Sequence, residues 1–576
     1  MLRPILVAAA LLMAAAAGRA EDARNGVATR EYLLDDVPRL PTVLRDQWRP
    51  GAPPQPFDSA GQHYGLLGDT SAPRPITLTE SIALALENNT GLRIAKLNPI
   101  SAANAVRGAY AQFDPQLVAD VNKQRRNTPV GTISPFTNEQ SPDIFNQAIN
   151  WNVGLRKRVL TGGFLSADWT NARISSDPNA INQLVPAYVT GLNLTLNQPL
   201  LRDFGWRFAL LVVDVAQIDE EQAFYDYAAS VAGLVENVER AYWTYVLAIE
   251  NLRVEEKGLD LARELLRQNQ GRYNVGALPR TTVLESEAEV ARREANLVRS
   301  GALQRIARDN LRALINAKRP NGDDLLMIEP ADKPSVAPAE PDLEDSLRIA
   351  YTQRPELVAA RLDVDGRRVQ TKIAQNALLP RLDLVGSVGL NGLGGSDAMV
   401  PSQFGVANPQ VLGGYSRSLE LLTDGRYYQY LFGARIEIPI ANAAAQAQYA
   451  QAKINAEAAR LSLQELEESV TLDITQSVNN VKALLKAIDA TRIARRLAEE
   501  NVRNQQYRYD VGLATTKDLI DFQDRLTQAE RSEIESLSNY NIELARLHFA
   551  RGTLLEERGV VLERAAPGDA PWWARF

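Results

Sequence analysis

The sequence predicts a mixed α+β membrane protein, internally duplicated, in which long antiparallel coiled-coil helices are joined to strands able to close a transmembrane β-barrel. Three observations predict it. A short turn occurs twice, as Arg272-Tyr273-Asn274-Val275-Gly276 and Arg508-Tyr509-Asp510-Val511-Gly512, each time between two very long stretches of helical apolar spacing. Other landmarks repeat with it: Leu78-x-x-Ser81 recurs as Leu343-x-x-Ser346 and Pro115-x-Leu117 as Pro380-x-Leu382, both shifted by 265 residues. Self-similarity of this kind marks a duplication. Between the helical stretches the apolar period drops to two, as in half-buried or lipid-facing strands.

The 576 residues carry a formal charge of −7, or −9 once the first twenty, with Arg3 and Arg19, are removed. A mildly acidic chain without a basic block offers no footprint for nucleic acid. Residues 1–20 read as a signal peptide: Met1-Leu2-Arg3 precedes an apolar run from Pro4 to Ala17, and Gly18-Arg19-Ala20 supplies small residues for cleavage. The chain has no cysteine, which excludes disulfides, thiolate metal sites, a Cys nucleophile and lipid attachment to an N-terminal Cys. No later stretch reaches eighteen uninterrupted apolar residues, so an exported chain of this kind crosses a membrane only with strands closed into a barrel.

Residues 21–75 hold eight prolines and read as an extended Pro-rich arm. The first repeat spans 76–317. Its opening helix (76–112) keeps Ile82, Leu86, Leu92 and Ala95 near helical spacing. Strands follow within 116–198, alternating at Leu117 to Val121, Ile149 to Leu155, Leu165 to Trp169 and Leu192 to Leu196, with loop-like stretches at 124–146 and 173–187. From Trp206 to Gln270 the helical period runs without a proline, and such a run makes a rod of roughly 100 Å. A rod this long needs parallel neighbours along its length. The hairpin tip lies near 276, where Asn274 and Gly276 suit a left-handed helix end, and Thr282 with Glu285 has the spacing of a capping box. The return helix carries Leu284, Ala288, Ala291, Ala295, Val298 and Ala302 in a coiled-coil rhythm. A polar connector (318–341) leads to the second repeat (342–557). This has a helix over 342–377, strands within 381–440 around a Gly/Ser/Asn-rich loop at 391–425, a rod from Ala441 to Tyr507, and a tip near 512. Residues 558–576 form a polar tail.

An exported chain that uses a helix–strand–rod–turn–helix unit twice resembles the TolC-like outer-membrane efflux and secretion channel family (outer membrane factor), over roughly residues 76–557. The resemblance implies a homotrimer. Its strands would share one β-barrel in outer-membrane lipid, and its helices would form a tapering α-barrel tunnel across the periplasm, where the Pro-rich arm would also lie. It further implies two partners in the Gram-negative envelope: a periplasmic adaptor (membrane fusion protein) and an inner-membrane pump of RND or ABC type. One copy has too few strands to close a barrel, so assembly belongs to the fold itself. The sequence departs from the simplest family pattern in its first half, which has room for four strands against two in the second. The extra hairpin, about 148–171 with a turn at Gly162-Gly163, either enlarges the barrel or lies on its periplasmic side.

By the same resemblance the tips meet the adaptor, which makes Val275, Gly276, Ala277, Leu278, Val511, Gly512, Leu513 and Ala514 candidate docking residues. Asp518 and Asp521 match the family's aspartates at the periplasmic entrance. Three copies would stack them into two carboxylate rings that attract cations. They fit equally well as first-turn carboxylates on a solvated helix face. Tyr509 matches a tyrosine that helps hold the entrance closed, but Thr282 and Ala514 stand where the family has matching acidic and arginine residues. Tyr427, Tyr428, Tyr430 and Trp151 suit an interfacial girdle, and fit almost as well as ordinary strand residues. Enzyme chemistry finds little footing: the only histidines are His63 and His548, no phosphate-cradling loop or metal-spaced cluster occurs, and nothing calls for a cofactor. The expected function is a passive exit duct of a tripartite efflux or type I secretion system. The alternative is a structural coiled-coil envelope protein without channel activity, which strands inserted in an outer membrane would exclude.

Overall fold

The computed structural model describes residues 74–129, 143–176, 184–316, 327–336, 341–397 and 410–562. The expected signal peptide, nearly all of the Pro-rich arm and the tail beyond 562 lie outside the described residues. In chain order, β1 (Arg74–Ile76) leads to α1 (Leu78–Asn88), α2 (Thr90–Ala95) and α3 (Leu97–Ala111). Then come β2 (Gln116–Pro129), β3 (Asp143–Arg158), β4 (Phe164–Ser176) and β5 (Leu184–Pro199), followed by the hairpin α4 (Trp206–Asn274) and α5 (Arg280–Ile315). The second repeat adds β6 (Ile328–Pro330), α6 (Leu343–Gln353), α7 (Pro355–Asn376), β7 (Arg381–Asp397), α8 (Tyr415–Asp424) and β8 (Tyr428–Glu437). It ends with the hairpin α9 (Ala443–Asp510) and α10 (Thr516–Arg551), and the short α11 (Leu554–Glu557).

The duplication is written into the backbone. Thr77 and Asp342 cap α1 and α6, their side chains accepting from the N–H groups of Glu80 and Asp345. The Ser of each Leu-x-x-Ser motif is buried and donates back to the cap carbonyl, Ser81 to Thr77 at 2.9 Å and Ser346 to Asp342 at 2.5 Å. The single helices expected over 76–112 and 342–377 are both broken, at Asn89 and Arg354, with φ/ψ of −66/117 and −67/118. The causes differ. Asn89 accepts the N–H of Leu92 and so starts a new helix, whereas Pro355 forces the residue before it out of helical conformation.

Three further expectations change. The capping box at Thr282 and Glu285 is absent, because α5 begins at Arg280 behind Pro279 and places Thr282 inside its first turn. The box stands instead in the second repeat, between Thr515 and Asp518. Strands also outrun the loops expected at 124–146, 173–187 and 391–425: β2 continues to Pro129, β3 begins at Asp143, β4 ends at Ser176, β5 begins at Leu184, and β7 reaches Asp397. Ladder hydrogen bonds to neighbouring strands carry these ends through sequence that has lost its alternation. Within the last of those loops, Tyr415–Asp424 is helical.

A parallel pair, β1 with β6, ties the end of the arm to the connector. It roofs the first core, where Ile76 and Ile328 meet Tyr242, Trp243 and Leu311. Tyr242 donates to the Asp332 carboxylate at 2.9 Å and accepts the Asp332 N–H at 3.1 Å. In the second hairpin, Val470, Ile474, Val478 and Val481 of α9 pack on Tyr540 and Leu547 of α10. The strands form one antiparallel sheet in the order β2-β3-β4-β5-β7-β8. Among the described residues no helix is long and apolar enough to cross a membrane.

Behind α11, Arg558 holds Glu239 of α4 through two 2.6 Å hydrogen bonds, and Glu239 is fully buried. Arg558→Ala leaves that carboxylate buried without its cation, at a cost of about 3–5 kcal/mol. A lower thermal unfolding midpoint of the purified protein is the expected result; an unchanged one means the pair adds nothing to stability.

Candidate functional site

The two hairpin ends are built alike and lie side by side. Gly276 and Gly512 sit at φ +77° and +79°, with open space around each. Only glycine adopts this conformation without strain, so backbone geometry alone accounts for both. Past each glycine the chain folds back to close the helix: Ala277 N–H donates to Arg272 O and Leu513 N–H to Arg508 O, each at 2.8 Å. The closure pushes apolar side chains outward. Val275 is 80% exposed, Leu513 70% and Val511 54%, while Leu278 and Ala514 are half-buried.

Beneath the tips lies a buried polar knot that joins all four long helices. Tyr509 of α9 is almost wholly buried, and its hydroxyl donates to Asn269 Oδ1 on α4. Asn269 Nδ2 donates to Ser286 Oγ on α5 at 2.8 Å and lies 3.3 Å from Thr516 Oγ1 on α10. Ser286 in turn donates to the Thr282 carbonyl at 3.1 Å. The Arg272 guanidinium covers the Tyr509 ring at 4.9 Å and reaches Asp510 at 3.5 Å, linking one tip to the other. The hydroxyl of Tyr509 is thus met by Asn269 and Thr516, without the acidic and arginine residues that Thr282 and Ala514 replace. Sequence reasoning missed Asn269, Ser286 and Thr516. Their only signal is a small polar residue at an inward-facing position of each helix, one turn or so from the tip.

The two expected entrance aspartates differ in environment. Asp518 closes the capping box: its carboxylate accepts from Thr515 N–H at 3.0 Å and Thr515 Oγ1 at 2.7 Å. Those bonds, the hydroxyl's first, hold it below the usual carboxylate range. Asp521 is exposed, one turn further along α10. The next acid, Asp524, is recruited inward. It pairs with Arg292 at 2.5 Å and with Arg293, whose buried guanidinium also meets Glu289 at 2.6 Å. Gly258 of α4 leaves room for Arg293, since a Cβ there would stand 3.0 Å from a guanidinium nitrogen. Further up, Arg531 of α10 pairs with the buried Glu255 of α4. Among the described residues no His, Cys, Asp or Glu group could hold a metal ion. His548 lies half-buried at the far end of α10, 3.4 Å from Thr553, and burial pushes its pKa down.

Two outcomes follow from this geometry. Tyr509→Phe strands Asn269 Oδ1 in the knot at a cost of about 1–3 kcal/mol, so the amides of Val511 to Leu513 should exchange faster with solvent than in the parent. Because the Asp518 pKa is lowered by folding, its cap is fully formed above the ordinary carboxylate pKa and is lost as pH falls through the folded value. Protection of the first-turn amides of α10, taken relative to their intrinsic exchange rate at each pH, should therefore fall in acid, and Asp518→Asn should remove that dependence.

The pattern of the family described as "Outer membrane efflux protein" matches residues 81–317 and 347–553. The chain is 27% identical to outer membrane protein TolC of Escherichia coli (strain K12) over 403 residues, which covers 70% of this chain and 76% of that protein. It is 26% identical to outer membrane protein TolC of Salmonella enteritidis over 81% of this chain and 88% of that protein. In fold it is similar to the CmeC outer membrane channel of Campylobacter jejuni, with a TM-score of 0.55 and 16% identity over 83% of this chain and 86% of that one. The open-state MtrE outer membrane channel of Neisseria gonorrhoeae gives a TM-score of 0.53 and 22% identity over 83% of this chain and 89% of that one. The chain belongs to the outer membrane efflux protein family, and is a TolC-like exit duct of tripartite efflux systems in the Gram-negative outer membrane.

Proposed function

We propose that three copies assemble around one passive conduit, with their sheets joined into a barrel in the outer membrane and their helical hairpins joined into a periplasmic tunnel. The chain supplies no chemistry of its own in this reading. A periplasmic adaptor docks on the tips, and an inner-membrane pump of RND or ABC type supplies the energy. The observation that carries the docking site is the apolar outward face of the tips: Val275, Val511 and Leu513 stand exposed on turns that glycine has closed. Exposed apolar groups at the end of a long charged rod suit a partner's surface better than water.

The entrance lies just inside those tips. Asp518, whose pKa its capping bonds lower, and the exposed Asp521 would form successive carboxylate rings in a trimer, a filter that favours cations. The Tyr509 knot holds the two hairpins of each copy together at this level, so that widening the entrance requires the knot to open or to move as a body.

Conductance in planar bilayers tests the reading. The parent is expected to show cation-selective openings, and Asp518→Ala/Asp521→Ala to conduct without that selectivity. Unchanged selectivity in a conducting double variant would remove the aspartates from the entrance. A folded, membrane-extracted oligomer that never conducts would favour the structural coiled-coil role. Separately, Val275→Asp with Val511→Asp should abolish adaptor co-purification while leaving conductance intact.

A further inference from the structure

We propose that the hairpin β3–β4 is part of the membrane barrel, so that three copies of the six-stranded sheet close an 18-stranded pore whose amide- and carboxylate-lined lumen admits hydrated cargo. This rests on the duct reading above and deepens it.

The hairpin is an insertion. Pro115 and Pro380 mark the starts of β2 and β7, and Pro199 and Pro439 the approach to each rod, yet the first repeat places four strands between its landmarks and the second only two. Its strands nevertheless sit inside the sheet, paired along their length with β2 on one side and β5 on the other. Cross-strand register shows which face they share. Ala119, Val153, Trp169, Leu192, Leu390 and Tyr428 form one row across all six strands. Leu117, Leu155, Ala167, Leu194, Val388 and Tyr430 form the row below it. Neither row contains a polar residue. A hairpin lying in the aqueous periplasm would have no reason to continue an apolar band begun by its neighbours.

The opposite face is polar at the same height. Asn152 donates to Asp120 at 3.1 Å, Asn150 to Asn122 at 2.7 Å, and Gln429 to Asn193 at 2.7 Å. Along this face Asp168, Thr170 and Asn193 each lie over a glycine of the adjoining strand, Gly154, Gly191 and Gly389 in turn. Crowding relieved in this way is expected on the concave side of a curving sheet, which makes the polar face the lumen. The row above the apolar band turns polar at Asn171 and Thr190, and there α8 docks, with Tyr415 against Trp151 at 5.4 Å and bonded to Asn171 at 2.7 Å.

Connectivity agrees. The β3–β4 turn is short and faces the helices, where Gly205 N–H donates to Thr161 O at 3.0 Å, while the longer connections fall at the other end of the sheet. Short turns on the periplasmic side and longer loops outside are the rule for outer-membrane barrels. Barrel diameter grows about in proportion to strand number, so the hairpin makes the mouth roughly half again as wide as four strands per copy would, in the range of water-filled porins.

The chain has no cysteine, so single substitutions report accessibility directly. Asn152→Cys and Thr170→Cys lie on the polar face of the hairpin, and Val153→Cys and Ala167→Cys on its apolar face. In the reconstituted full-length oligomer, a charged water-soluble methanethiosulfonate should modify the first pair at least about ten-fold faster, since only a solvated thiolate reacts. Modification of that pair should also change the single-channel current. Equal rates on both faces place the hairpin in water and overturn the inference; slow reaction at all four sites removes the aqueous lumen and overturns it too. A parent protein that never conducts would sink the duct reading whatever the labelling shows, so the two can fail separately.

Discussion

The outer strands of the sheet, β2 and β8, each leave one side of the backbone without a partner, and β2 does so over 14 residues that are exposed throughout. In water such an edge invites association; in a bilayer it is untenable, because each unpaired N–H or C=O in hydrocarbon costs several kcal/mol. The edges are complementary, since strand directions alternate across an even-numbered sheet and, in the proposed trimer, β8 of one copy would meet β2 of the next antiparallel. Ring closure with further copies would therefore satisfy the backbone without any new sequence feature. In the proposed trimer the same closure would bring the helical hairpins of neighbouring copies alongside one another and supply the rods with lateral partners.

Within one copy, the rods are held by two kinds of contact with different consequences. Away from the tips, ion pairs fix the hairpins to each other: Arg293 of α5, braced by Glu289 on its own helix, with Asp524 of α10, and Arg531 of α10 with the buried Glu255 of α4. Separating any of these leaves a desolvated charge, which typically costs about 3–5 kcal/mol. At the tips the buried bonds are neutral, and the ion pair that joins the two turns, Arg272 with Asp510, is solvent-accessible and screened. The bonds among Tyr509, Asn269, Ser286 and Thr516 contribute only about 1 kcal/mol each on balance. The tip end of each copy is thus held by the weaker contacts, and the ion pairs fix its two hairpins to each other further along.

The aspartates illustrate how one residue type on one helix divides its work. Asp518, Asp521 and Asp524 follow at intervals of three on α10, and on the sequence they differ little. Asp518 is spent on its own helix end, Asp521 faces solvent, and Asp524 meets two arginines of the other hairpin. Their roles depend on what stands opposite, and that is a property of packing.

The sequence alone determined the duplication, the twin tips, the two rods and the two-residue period of the strands, because each depends on local periodicity or on a glycine that one backbone conformation demands. Asn89 and Arg354 show where local reading stopped: a helical apolar pattern runs through both, and the breaks become visible only when the cap at Asn89 and the proline after Arg354 are weighed against it. The β1–β6 pair was hidden because three residues carry no period, and the capping box moved from Thr282 to Thr515 because Pro279 sets where α5 begins. Tertiary structure alone decided that the inserted hairpin lies within the sheet and that Asn269, Ser286 and Thr516 converge on Tyr509. Those contacts join residues as far as 247 positions apart, and spacing along the chain carries no information about which helices or strands will be neighbours in space.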